Sequence, residues 1–267
     1  MSDAFKLTYS TMFNPPPELH ARFDAALAEF KHSGMGRDHP QWIDGAAAEG
    51  GERFEVRSPI DQDWLIGRFV QGSADDVDRA VQAARAAYPA WAATPWRERV
   101  ALLRRAARLI EERVYAISAA VAVEVGKNRM EAIGEVQETA DLIDWYADRM
   151  EEADGFDRPL ADDPLPNFKS HNRSVLRPYG VWAVIAPFDF PFALAGGPLG
   201  PALIAGNTAV FKCSPETALS GWLLLECLRD AGLPPGVINF VTGGDDTGRA
   251  LAQHPAVAGI TFTGSHA

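Results

Sequence analysis

Three places in the chain carry residue types that could do chemistry: Asp189, Lys212 with Cys213, and Thr263-Gly264-Ser265. Asp189 stands inside Pro187-Phe188-Asp189-Phe190-Pro191. A carboxylate in that setting is costly to desolvate without a partner. It reads either as an exposed turn residue or as a polar group aimed into a cleft. Lys212 closes an apolar run and reads as a lysine snorkelling from a sheet, or as a donor to a ribose hydroxyl or a phosphate. Thr263-Gly264-Ser265 is an ordinary turn, or one whose backbone N–H groups and hydroxyl face a phosphate. Cys213 adjoins Lys212, a setting that lowers a thiol pKa. No histidine lies near it in sequence, so it reads as a packing or cofactor-side residue rather than a nucleophile. Cys227, beside Leu224 and Leu225, reads as core.

These residues need elements to position them, and the last third of the sequence supplies a regular series. Residues 181–186 are a short continuous apolar run, as expected of a strand covered on both faces. A loop at 187–191 leads to a helix over 192–205. The spacing then predicts a strand at 207–212, a helix at 217–231, and a strand at 237–241. A glycine-rich loop at 243–248 follows, then a helix through Gln253 and a fourth strand at 259–262. Strands alternating with helices imply a parallel sheet with right-handed crossovers. Ligands bind beyond the carboxyl ends of such strands, so segments 187–191, 212–217 and 263–265 are expected to converge there.

Upstream, residues 1–40 read as an arm, with Pro15-Pro16-Pro17 interrupting any helix before residues 18–31. Strands are expected at 41–44, 54–57 and 64–70, forming a small antiparallel element. Three helices follow. Ser73-Ala74-Asp75-Asp76 is a capping-box pattern opening the first. The second starts at Thr94-Pro95 and runs to Gly126, with Val100, Leu103, Ala107, Ile110, Val114, Ile117 and Val121 on one face. The third covers 129–152, and its Glu131, Glu135, Glu138 and Asp144 read as a solvated face. Residues 154–177 are rich in Pro and Asp. The expected organisation is an arm at 1–40, strands plus three helices at 41–153, a linker or intersubunit excursion at 154–178, and a dinucleotide-binding unit at 179–267.

Composition bounds the function classes. The 267 residues carry a net charge of −11, which disfavours nucleic acid and anionic membrane surfaces. No apolar run is long enough to cross a bilayer, the first ten residues lack a secretory pattern, and a cytoplasmic location is the default expectation. The 2 cysteines and 6 histidines show no metal-ligand spacing, so no metal site is expected.

Taken in order, several stretches resemble the aldehyde dehydrogenase superfamily. They are Gly180-Val181-Trp182-Ala183-Val184-Ile185-Ala186-Pro187-Phe188-Asp189-Phe190-Pro191, and Gly200-Pro201-Ala202-Leu203-Ile204-Ala205-Gly206-Asn207-Thr208 leading to Lys212. Ala231-Gly232-Leu233-Pro234-Pro235-Gly236-Val237-Ile238-Asn239, Phe262-Thr263-Gly264-Ser265, and upstream Glu124-Val125-Gly126-Lys127 complete the match. The Pro-Phe-x-Phe-Pro form and the long arm are most similar to the bacterial 1-pyrroline-5-carboxylate dehydrogenases, which oxidise L-glutamate γ-semialdehyde to glutamate. The implied fold is α/β: an N-terminal helical segment plus a partial Rossmann-like parallel sheet. The implied cofactor is NAD, with NADP as the other option. The implied partners are a small aldehyde and, in the full-length family, further copies of the chain.

The resemblance also implies residue roles. Ile185, Ala186, Pro187 and Phe188 would border the nicotinamide half. Lys212 would face the adenosine ribose, Gly243 the adenine, and Ser265 with the Gly264 turn the diphosphate, with Ser214 and Phe262 as further cofactor-binding residues. Phe190 would sit at the aldehyde entrance. Asp189 falls at the family's oxyanion asparagine, and an ionised carboxylate only accepts hydrogen bonds. Pro215 stands where many members carry a ribose-binding glutamate, with Glu216 one position later. The family's general-base glutamate and nucleophilic cysteine are expected beyond Ala267. The 267-residue chain alone is therefore expected to be inactive, with its fourth strand left as an open apolar edge.

Overall fold

The computed structural model describes Leu7, Thr11 and residues 13–265. Helix α1 (Pro17–Glu29) begins with a proline in its first turn, where the missing N–H is an orphan in any case. Short strands β1 (Arg37–His39), β2 (Gln41–Ile43) and β3 (Ala46–Ala48) precede β4 (Arg53–Arg57) and β5 (Leu65–Val70). Four helices follow: α2 (Ala74–Ala93), α3 (Trp96–Glu112), α4 (Val114–Val125) and α5 (Arg129–Glu152). Strands β6 (Asp157–Pro159) and β7 (Arg173–Val175) pair antiparallel. The alternating series is β8 (Val181–Ile185), α6 (Ala193–Ala205), β9 (Thr208–Lys212), α7 (Ala218–Asp230), β10 (Ile238–Val241), α8 (Asp245–Ala252) and β11 (Val257–Phe262). Among the described residues no helix is long and apolar enough to cross a membrane.

The main sheet has the order β11-β8-β9-β10-β2-β3. Its first four strands are parallel. The chain steps from β8 to β9 to β10 in one direction and then returns to lay β11 on the far side of β8. The strand order thus reverses between β8 and β11, the switch point at which open α/β sheets bind ligands. Helices α6 and α7 pack on one face through Leu199, Leu203, Leu224 and Leu228, within the larger core. Leu251 of α8 and Val77, Val81 and Ala84 of α2 cover the other face against Val181, Ala183, Val210 and Val241. Both faces of the sheet are therefore covered at its centre, where β9 is buried at every position, while alternate residues of the edge strand β11 are exposed.

Local chemistry fixes the helix ends. Ser73 Oγ accepts from the Asp76 N–H at 3.1 Å, and Asp76 Oδ2 accepts from the Ser73 N–H at 2.8 Å, the reciprocal capping box expected from the sequence. Helix α6 is apolar all round and lies against α5. A Cβ at Gly196 would come within 2.2 Å of Thr139 Cγ2, so the two helices approach through a glycine.

Three expectations are corrected. The early strands do not form one small antiparallel element. β2 pairs with β10 in the main sheet, while β5 pairs antiparallel with β4 and parallel with β1. The single helix expected from Thr94 to Gly126 is two, α3 and α4. Arg113, at φ −97° and ψ 8°, separates them, and its guanidinium reaches Asp230 at 2.7 Å. Glu135 is not on a solvated face but 0% exposed, because α5 packs against α3 and α6 and is covered well beyond its apolar stripe.

Candidate cofactor site

The site is built on one row across the sheet's carboxyl edge. Phe262 pairs with Ile185, and Ile185 pairs with Lys212. Two further bonds carry the ladder into the loops: the Ala186 N–H donates to Lys212 O at 3.0 Å, and the Thr263 N–H donates to Ile185 O at 3.1 Å. Residues far apart in sequence are thereby held at one level, at the mouth of the switch point.

Above this row opens a cleft of about 900 Å³. One wall is apolar, from Ile185, Pro187, Phe188 and Phe262. The other is polar, from Lys212, Ser214, Glu216 and Asp245. The Gly264-Ser265 turn, which follows the edge strand β11, also lines the cleft. Of the residues singled out in the sequence, Asp189, Ile185, Ala186, Pro187, Phe188, Lys212, Ser214, Phe262, Gly264 and Ser265 all line this cleft. Gly243 and Phe190 do not. Gly243 is buried at φ +140°, where a Cβ would meet Thr247 Oγ1 at 2.3 Å, and its neighbour Gly244 faces the cleft. Phe190 lies under the ammonium of Lys127, 3.4 Å from the ring centroid.

The electrostatics of the polar wall are specific. Lys212 is buried except for 6% of its surface, and its Nζ donates to Cys213 O at 3.0 Å. Burial lowers its pKa, while Cys213, Asp245 and Glu216 pull it back up. Glu216 accepts from Ser214 Oγ, so the shifted glutamate is oriented at the cleft by a short turn (Pro215–Thr217). Cys213 is fully buried and its thiol is pushed up to about 12, chiefly by burial. Cys227 is pushed up to about 11 for the same reason. Neither is a thiolate at neutral pH. Asp189 is exposed at the cleft wall.

Two buried carboxylates were not legible as functional in the sequence. Glu124 accepts from the N–H groups of Leu219 and Ser220, both at 2.8 Å, and from Ser220 Oγ at 2.6 Å. Glu135 accepts from the Phe192 N–H at 2.8 Å and the Ala193 N–H at 3.3 Å. Each sits at the N-terminus of one sheet-covering helix. The only signal was the Glu124-Val125-Gly126-Lys127 stretch, which carried the resemblance without a role.

Fold and cleft define an open α/β sheet of dinucleotide-binding type joined to an N-terminal helical layer. The model of the aldehyde dehydrogenase family matches residues 42–267. The chain belongs to the aldehyde dehydrogenase family. It is 36% identical over 248 residues to a 1-pyrroline-5-carboxylate dehydrogenase of Staphylococcus epidermidis, covering 92% of this chain and 47% of that one. It is 43% identical over 219 residues to an N-succinylglutamate 5-semialdehyde dehydrogenase of Paraburkholderia xenovorans, covering 82% and 44%. Among solved structures, a 1-pyrroline-5-carboxylate dehydrogenase from Thermus with bound NAD superposes with a TM-score of 0.86 at 29% identity, covering 97% and 50%. The chain spans about half the length of the curated relatives it matches.

Proposed function

We propose that this chain forms the cofactor-side wall of an NAD(P)-dependent dehydrogenase that oxidises an aldehyde to the acid, with L-glutamate γ-semialdehyde as substrate. The carrying observation is the Phe262–Ile185–Lys212 row, which brings an apolar wall, a buried lysine and a Gly-Ser turn to one cleft at the switch point. The residues present fit a dinucleotide. Ile185, Pro187 and Phe188 suit a flat ring face, Lys212 with Glu216 suits ribose hydroxyls, and the backbone N–H groups around Gly264 suit a diphosphate. When bound, the nucleotide supplies the hydride acceptor. The semialdehyde reading rests on the names of relatives such as the Staphylococcus enzyme.

The polar wall favours NAD over NADP. Glu216 and Asp245 lie close enough to Lys212 to raise its pKa, and a 2′-phosphate would meet them. Calorimetric titration of the purified chain with each nucleotide tests this. Tighter binding of NAD is expected. NADP binding as tightly removes the preference, and binding of neither removes the nucleotide reading.

The chain alone is proposed to bind nucleotide without turnover, since both its thiols are buried and protonated. NADH formation from glutamate semialdehyde by the 267-residue chain would show this to be wrong. Two free buried thiols suit a reducing compartment, which supports a cytoplasmic location. Leu160, Leu165 and Phe168, exposed between β6 and β7, and Leu176, exposed just after β7, support assembly with further copies through that excursion.

A further inference from the structure

The α4–α5 corner lies outside the cleft, yet its charged groups reach the loop that forms the cleft's apolar wall. Gly126, at φ +83°, ends α4, and Asn128 Oδ1 accepts from the Met130 and Glu131 N–H groups to start α5. Both sides of the corner are capped, so Lys127 between them projects from a fixed point. Its ammonium bonds Glu135 Oε2 at 2.5 Å and stacks on the Phe190 ring. The other Glu135 oxygen, Oε1, accepts from the Phe192 and Ala193 N–H groups. Phe192 begins α6 with no cap from its own side chain, so Glu135 takes that part from another helix. Side-chain exposure is 9% for Lys127 and 0% for Glu135. A buried pair of this kind persists when its remaining hydrogen-bonding capacity is satisfied, and here the partners belong to the loop.

We propose that Lys127 and Glu135 are positioning residues that clamp the 187–191 loop, and through it set the wall formed by Pro187, Phe188 and Asp189. The clamp grips both ends of the segment that follows Asp189: the Phe190 ring on one side, and the first N–H groups of α6 on the other. Neither residue lines the cleft, so any effect on a ligand passes through the loop. The charge on Lys127 serves two acceptors at once, the carboxylate and the ring face. Arginine can satisfy both, and methionine neither.

The consequence for nucleotide affinity rests on the function proposed above; the clamp itself does not. Two measurements on the 267-residue chain separate them. The first is the rate of limited chymotrypsin cleavage after Phe188, since Pro191 protects the bond after Phe190. The second is the NAD dissociation constant. Lys127→Met is expected to speed cleavage about tenfold and to weaken NAD binding about tenfold, the upper range for a residue acting through its neighbours. Lys127→Arg is expected to restore both to within about twofold, because it keeps the stacking and the ion pair. Glu135→Gln keeps an acceptor for α6 but loses the charge pair, and is expected to fall between the two. Cleavage of Lys127→Met at the wild-type rate overturns the clamp, as does failure of Lys127→Arg to restore protection. If the wild-type chain binds no NAD, the nucleotide reading fails and the cleavage series alone decides the clamp.

Discussion

Asp189 and the two thiols are where residue identity matters most. In a longer chain carrying the nucleophilic cysteine, Asp189→Asn is expected to raise turnover by roughly 10²-fold, the usual worth of one oxyanion donor. Initial rates with saturating aldehyde measure it, and an unchanged rate removes the oxyanion position from consideration. Cys213 and Cys227 are expected to resist iodoacetamide in the native chain at pH 7 and to react fully in urea, since burial pushes their thiols up to about 12 and about 11. Rapid native labelling, followed by mass spectrometry, would contradict the burial. The cleft residues were legible because Lys212, Ile185 and Phe262 end apolar runs at the same edge of one sheet. Gly243 and Phe190 lie outside the cleft lining: Gly244 lines it beside Gly243, and Phe190, expected at the aldehyde entrance, sits under Lys127. Strand-end reasoning fixes a loop's location but not which of its residues turns inward.

At the scale of elements, the close approach of α5 and α6 gives a direct test. Gly196→Ala would place a methyl 2.2 Å from Thr139 Cγ2 and is expected to cost about 1–3 kcal/mol by overpacking. Urea denaturation measures the loss, and Thr139→Ala in the same chain should recover part of it. The sequence announced α2 through its capping box, and β8 to β11 through short apolar runs bounded by Gly and Pro. It hid the break at Arg113 because neither Gly nor Pro marks it and the apolar period continues from Val100 to Val121. It hid β1 and β3 because Arg37–His39 and Ala46–Ala48 hold no strand-favouring side chain, whereas the equally short β2 carries Trp42 and Ile43. Glu135 escaped notice because an acidic residue at the edge of an apolar stripe is buried only when a further helix covers it.

For the molecule as a whole, Glu124 links fold to pH. Burial raises its pKa from 4.5 to about 7, opposed by its bonds from Ser220 and Leu219. The folded chain therefore holds a proton that the unfolded chain has released. This contribution is fully present below about 4.5 and is lost as pH rises through about 7. His39 works the other way: burial lowers it from 6.5 to about 4, so its contribution grows as pH rises across that interval. The difference between wild type and Glu124→Gln isolates the first effect. Relative to the variant, wild type is expected to lose stability from pH 5 to pH 7.5 in thermal melts, and a difference independent of pH would count against it. Ile260 and Phe262 are 46% and 59% exposed on β11, and sedimentation of the chain is expected to show species heavier than 29.0 kDa. Ile260→Lys should shift the distribution toward that mass if this edge is responsible. The pairing of β2 with β10 has a kinetic side. The Asp44 N–H donates to Asn239 Oδ1 across 195 residues. At ribosomal rates that separation corresponds to on the order of 10–40 s of synthesis. For that time β2 exists without the neighbour that completes it, and the sheet closes only after the opening segment of the chain has waited for most of the rest to be made.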